Sequence, residues 1–251
     1  MTIKLGVSTL SATNMEEFLY ECSNLGVKYI EIVKSYPNHD IDYELIQSYD
    51  FKYSIHSPLI DMNIASLTDS IREASVNELK KSIDDAIKIN TTNVVVHPGK
   101  ISFLGQPYED YIYKLCINSF KQIKEYSENT GVNPLIENMP VIPGFMYTDL
   151  KKLENTLENL DMYMTLDIGH AYTAEFNEND MYSPRVKHIH IHDNNGDDDS
   201  HLPLGEGSIQ FNTIIDKYTK ENYDGIYILE ANNIDSVKKS IKYLKQNKYI
   251  K

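Results

Sequence analysis

The chain has no tryptophan, only two cysteines and, among its 24 basic residues, only two arginines, Arg72 and Arg185. Each scarcity excludes something. Cys22 and Cys116 both fall in helix-like segments and neither has a C-x-x-C partner, so a disulfide framework is not expected and a reducing cytoplasm fits. With 37 acidic residues, the net charge is −13, which argues against a general binder of nucleic acid, whose affinity comes largely from Lys and Arg on phosphates. Only a local basic groove or bound metal would reverse that. No apolar run approaches the roughly 20 residues of a membrane span. The opening MTIKLGVSTL lacks the basic-then-apolar pattern of a signal peptide. No P-loop or dinucleotide-binding glycine pattern is found. No Pro/Gly/Ser-rich linker or change of composition breaks the 251 residues, so residues 1–251 are expected to form one domain.

What is present is a rhythm of short apolar runs and longer amphipathic segments. The runs are IKLGVST from Ile3, VKYIEIV from Val27, KYSIHSP from Lys52, TNVVVHP from Thr92, NPLIEN from Asn133, MYMTLDIGH, VKHIHIHD from Val186, and GIYILEAN. Between them lie predicted helices: one capped by Asn14, a short one near Tyr43, then 70–89, 108–129, 148–158, a polar helical turn, 208–220 and 235–246. Eight β runs alternating with helices imply parallel βαβ units, and eight such units in about 250 residues predict a closed (β/α)₈ TIM barrel. That fold places an active site at the carboxyl ends of the strands.

Reading those ends gives His56 on strand three, His97 on four, Glu137 on five, and Asp167 on six with His170 three residues on. Strand seven carries His190, its following loop Asp199 and His201, and strand eight Glu230. One strand-end imidazole or carboxylate is ordinarily a paired structural group, because burying it alone is costly. Six consecutive strands ending this way point instead to a metal site, and mixed imidazole and carboxylate donors suit zinc or manganese better than calcium or magnesium. Other histidines read differently. His188 alternates with His190 one layer deeper and is expected to be a hydrogen-bonded core residue; His192 is a candidate partner behind a ligand; His39 belongs to a surface loop. The run DNNGDDDSH is acidic, but its glycine spacing does not fit an EF-hand, and the aspartates before Asp199 read as a solvated loop.

The ordered set IHSP, VVVHPG, LIENMP, LDIGHA, HIHD, SHLPLGEG and ILEAN spans nearly the whole chain and resembles the xylose-isomerase-like TIM barrels. That superfamily includes sugar phosphate isomerases and epimerases and the endonuclease IV type of AP endonuclease. The resemblance implies a trinuclear zinc set of the endonuclease kind at His56, His97, Glu137, Asp167, His170, His190, Asp199, His201 and Glu230. It equally implies a single metal of the epimerase kind at Glu137, Asp167, His190 and Glu230. Departures exist on both sides. Leu59 follows HSP where the endonucleases typically have tyrosine, the loop VKSYPNHD has no arginine, and the chain is shorter than expected for a full endonuclease. The arginine that often follows the strand-seven ligand in epimerases is replaced by Asn194, Asn195 and Gly196.

Two activities therefore stand. In the first, favoured by the acidic balance, the few arginines and the short loops, a metal polarises the carbonyl of a small carbohydrate or sugar phosphate. Glu137 and Glu230 then move a proton at the neighbouring carbon, and His170 binds or polarises the substrate. In the second, favoured by the complete nine-residue set, clustered zinc ions cleave a phosphodiester in abasic DNA. A metal-binding barrel without catalysis is a third reading. One to three ions are expected, with no membrane partner; substrate identity and oligomeric state are left open.

Overall fold

β-Branched and aliphatic runs too short to be buried alone close here into a cylinder. A computed structural model describes residues 2–251. In chain order the elements are β1 Lys4–Ser8, α1 Met15–Asn24, β2 Tyr29–Val33, α2 Tyr43–Gln47, β3 Lys52–His56, α3 Asp69–Lys88, β4 Asn93–Val96 and α4 Glu109–Ser127. The second half holds β5 Asn133–Glu137, α5 Leu150–Leu160, β6 Tyr163–Asp167, α6 Ile168–Thr173, β7 Val186–Ile191, α7 Phe211–Lys220, β8 Ile226–Leu229 and α8 Ile234–Gln246. The strands pair in sequence order, all parallel, and β1 pairs with β8 to close the barrel. This is the TIM barrel expected from the alternation.

Helix starts follow local capping chemistry. Side chains of Asn14, Asp42, Asp149, Asp167 and Asn233 accept hydrogen bonds from otherwise unpaired backbone N–H groups in the first turns of α1, α2, α5, α6 and α8. Two boundaries differ from the sequence expectation for identifiable reasons. Asp149 accepts from Lys151 and Lys152, so α5 begins at Leu150 rather than at Thr148. Ser208 and Ile209 donate their N–H groups to Asn194 O and Asp193 Oδ1, which holds them in the loop and delays α7 to Phe211.

Alternation along each strand separates two interiors. Ile30, Ile32, Ile55, Val94, Val96, Ile136, Leu166, Ile189, Ile191 and Leu229 join the large core between sheet and helices. The residues between them, among them Glu31, Ser54, Thr165, His188 and His190, are equally buried but fall outside that apolar cluster. The barrel lumen is thus unusually polar, and its polar side chains lead up to the strand ends. Cys22 and Cys116 are free and buried in α1 and α4, and burial raises both thiols, Cys22 to about 12, which leaves them unreactive.

Candidate metal centre

Each candidate residue sits at or just beyond a strand end, where the backbone is fixed by the barrel and the side chain is aimed across its mouth. His56, Glu137 and Asp167 are the last residues of β3, β5 and β6. His97 and Glu230 follow β4 and β8 by one residue, and His190 lies one residue before the end of β7. His170 is in the first turn of α6, held by the N-cap bond in which Asp167 Oδ1 accepts from its N–H at 2.7 Å. Asp199 and His201 come from the loop after β7, with His201 at φ 48°, a conformation costly for a side chain of this type.

All nine sequence-derived candidates converge. Glu137 joins two sides of the cluster: Oε2 lies 3.2 Å from His56 Nε2 and 2.9 Å from His97 Nε2, while Oε1 lies 2.9 Å from His190 Nδ1. His190 Nδ1 is also 3.4 Å from Glu230 Oε1 and 3.8 Å from Asp167 Oδ2, so one ring nitrogen meets carboxylates from three strand ends. Asp199 Oδ2 lies 3.3 Å from His170 Nε2 and 3.4 Å from His201 Nε2. Donor atoms of His56, His97 and Glu137, of Asp167, His190 and Glu230, and of His170, His192, Asp199 and His201 each come within 4.8 Å of one another.

Orientation is set from behind. His56 Nδ1 bonds Ser57 O at 2.9 Å and His170 Nδ1 bonds Asn138 O at 2.8 Å, leaving both Nε2 atoms toward the carboxylates. Asn138 also grips Asp167, donating to its carbonyl and accepting from its N–H at 2.9 and 2.8 Å. Burial opposes charge on every group here, yet opposite charges outweigh it for most. Glu137 is held well below the usual carboxylate range, chiefly by His190 and His97, and Asp167 is lowered by His170 and His192. Asp167 and Asp199 hold His170 up at about 10. His97 is the exception, lowered because burial outweighs Glu137.

Of the ten buried side-chain polar atoms without a hydrogen-bond partner among the described residues, six belong to this cluster: Asp167 Oδ2, His190 Nε2, both ring nitrogens of His192, Asp199 Oδ1 and His201 Nδ1. Unpaired buried donors and acceptors are expensive, and such a concentration among N and O groups fits residues shaped to hold divalent cations.

Three contributors add to or change the sequence reading. Glu31, the middle residue of β2, lies 2.7 Å from His188 Nε2 and 2.9 Å from His190 Nε2, and it is held well below its usual range by both, despite burial. His188 is the hydrogen-bonded core histidine expected, with Glu31 as its partner. His192, expected only as a partner of a ligand, sits between Asp167 Oδ1 at 3.2 Å and Asp199 Oδ1 at 3.4 Å, stacked on His201 with ring centroids 3.9 Å apart. Its ring lies against Gly169, where a Cβ would come 2.0 Å from Cε1, so the glycine of LDIGH makes room for it. Asp193 corrects the reading of the aspartates before Asp199 as a solvated loop: it is fully buried and gathers the loop, accepting from the N–H groups of Asn194, Gly205, Gly207 and Ile209. As expected, His39, Asp197 and Asp198 are exposed.

Comparison with known proteins gives the same fold. The family model described as "Xylose isomerase-like TIM barrel" matches residues 19–247. An uncharacterized protein of Methanocaldococcus jannaschii is 36% identical over 97% of this chain and 99% of its own. The crystal structure of a D-tagatose 3-epimerase-like protein is 32% identical, covers 97% of this chain and 96% of its own, and superposes with a TM-score of 0.85. A probable endonuclease 4 of Halothermothrix orenii is 28% identical over 62% of each chain.

Proposed function

Because this chain belongs to the xylose isomerase-like TIM barrel family, we propose that it is a divalent-cation-dependent epimerase or isomerase of a small carbohydrate, with Glu137 and Glu230 as its proton-transfer pair. The observation that carries the proposal is the convergence on His190 Nδ1 of Glu137, Asp167 and Glu230 at 2.9, 3.8 and 3.4 Å. These four side chains would hold the principal ion, zinc or manganese. Bound there, such an ion supplies Lewis-acid polarisation of a substrate carbonyl.

The protein's own groups do the rest. One glutamate takes the proton from the carbon beside the carbonyl, and the other returns a proton to that carbon from the opposite face, so configuration inverts with no net change in atoms or electrons. His170, with Nδ1 committed to Asn138 O, keeps Nε2 and its positive charge toward Asp199 and the mouth, where it draws substrate oxygen density. The similarity to a D-tagatose 3-epimerase-like protein at 32% identity supports a ketose as substrate class.

The endonuclease-type reading rests on one specific observation. His56, His97 and Glu137, and His170, Asp199 and His201, form further donor groups that a mononuclear epimerase does not require. Against it, the segments joining strand ends to the following helices contain only two lysines, Lys34 and Lys100, and no arginine. Lys34 is buried against Asp85, which leaves Lys100 alone to meet phosphate. The deciding experiment assays natively purified protein, its ions counted by elemental analysis, on a panel of ketoses and on abasic duplex DNA. Epimerisation is expected, abolished in Glu230→Gln; His97→Ala should lower ion content below wild type without unfolding the barrel. Cation-dependent incision of the DNA with no sugar turnover would overturn the proposal.

A further inference from the structure

The polar lumen beneath the mouth contains a carboxylate that no role above uses. Glu31 and His188 are both fully buried, one layer below His190. Glu31 Oε2 accepts from Ser54 Oγ at 3.0 Å and from His188 Nε2 at 2.7 Å. His188 Nδ1 faces the Asn93 amide nitrogen at 3.4 Å, a donor, so Nε2 is the ring nitrogen that donates to Glu31. The second oxygen, Oε1, has one close polar neighbour: His190 Nε2 at 2.9 Å. Neither of these two atoms makes an in-line hydrogen bond among the described residues, the 2.9 Å approach between them included.

We infer that Glu31 is the positioning residue for His190, holding the ring from behind by its Nε2–H so that Nδ1 is the nitrogen presented to Glu137, Asp167 and Glu230. The inference rests on the reading of those four residues as a cation site. Leaving a carboxylate oxygen and a ring nitrogen both unsatisfied in a sealed lumen is costly, because each has given up water without gaining a partner. A slight turn of the His190 ring satisfies both at once, and a proton on Nε2 leaves the Nδ1 lone pair free to ligate. Histidines that bind metals generally donate their other N–H to a carboxylate or carbonyl, and among the described residues Glu31 is the only carboxylate in reach of Nε2. Ser54 and His188 are then the clamp on the clamp: three donors over two oxygens keep Glu31 ionised and unable to swing. Glu31 itself is not a ligand on this account, because Oε2 already accepts from two donors and Oε1 faces His190 Nε2.

The test compares chelator-treated wild type with Glu31→Gln by cobalt titration, recording affinity, stoichiometry and visible ligand-field absorption, with Asp167→Asn as a ligand-loss control. Glu31→Gln should bind the same number of ions about 10–100-fold more weakly, with a shifted cobalt spectrum. A purely structural role would alter neither quantity in the folded protein, and unchanged affinity and spectrum would overturn the inference. Loss of a whole ion, as in Asp167→Asn, would make Glu31 a ligand and overturn it equally. If wild type takes up no cobalt, the cation reading itself fails. In that case, or if Glu31→Gln does not fold, ring-nitrogen NMR of the wild type decides: a hydrogen-bonded proton on His190 Nε2 supports the clamp, and an Nε2 without one overturns it.

Discussion

Glu137 sends one oxygen to His56 and His97 and the other to His190, so each proton on those rings is in competition with a cation. The sign of the resulting pH dependence follows from the shifts. His170, ordinarily at 6.5, is held at about 10, so without ions its charge contributes stability fully below about 6.5, and that contribution is lost as pH rises through about 10. Glu137, Asp167 and Asp199 are lowered, and their contribution is present above the usual carboxylate range and lost only in stronger acid. Ion-free protein is therefore expected to melt at lower temperature at pH 9–10 than near pH 6. Zinc- or manganese-loaded protein should show the opposite trend in ion affinity, which rises with pH as imidazoles deprotonate. Calorimetric melting of both forms across this range checks it; a flat ion-free profile would refute the assignment of His170 as a cation. The nine candidates were legible in the sequence because residue type and strand-end position coincide. Glu31 was not, because a lone charge inside an apolar run ordinarily reads as solvent-facing. In a parallel barrel both faces of a strand are covered, so that charge had to point into the lumen.

The loop after β7 is the element on which the outer donor group depends. It delivers Asp199 and His201, and its shape is gathered by Asp193, whose two oxygens accept four backbone N–H bonds while its own backbone bridges to Leu202. Asp193→Ala would strand those donors at about 1–3 kcal/mol for each that stays buried. The expected outcome is a folded barrel that keeps the ion proposed at Glu137, Asp167, His190 and Glu230 but loses most of its turnover, because Asp199 no longer faces His170. Elemental analysis beside a ketose epimerisation assay of the variant would show this, and undiminished turnover would count against it. The eight strands and most helices were readable from periodicity and caps. The delayed start of α7 was not, since it comes from Asp193 and Asn194 fixing Ile209 and Ser208 across the loop, a contact distant from any local pattern.

At the level of the molecule, charge and surface act together. With net charge −13, and Lys100 the only unburied lysine in the segments that join strand ends to the following helices, long-range attraction for polyanions is weak. Binding of abasic duplex DNA at physiological salt is expected to be weaker than about 10⁻⁴ M, the loose end of ordinary non-specific binding. Fluorescence anisotropy across ionic strengths tests this, and micromolar affinity with a steep salt slope would contradict it. The loops around the mouth instead expose apolar groups, Tyr36, Ile60, Phe103, Leu104 and Val141 among them, which suits a neutral ligand better than a charged one. Closure of the cylinder through β1 and β8 has its own bearing on how the chain folds. The donors come from β3 through β8, with Glu31 from β2, so no half-barrel or nascent fragment contains the set. On the proposed cation reading, an ion could not nucleate folding from a piece of the chain; it would act late, as a latch that binds only the finished ring and pulls the population toward it by mass action, by about 2.7 kcal/mol at a hundredfold excess over its dissociation constant.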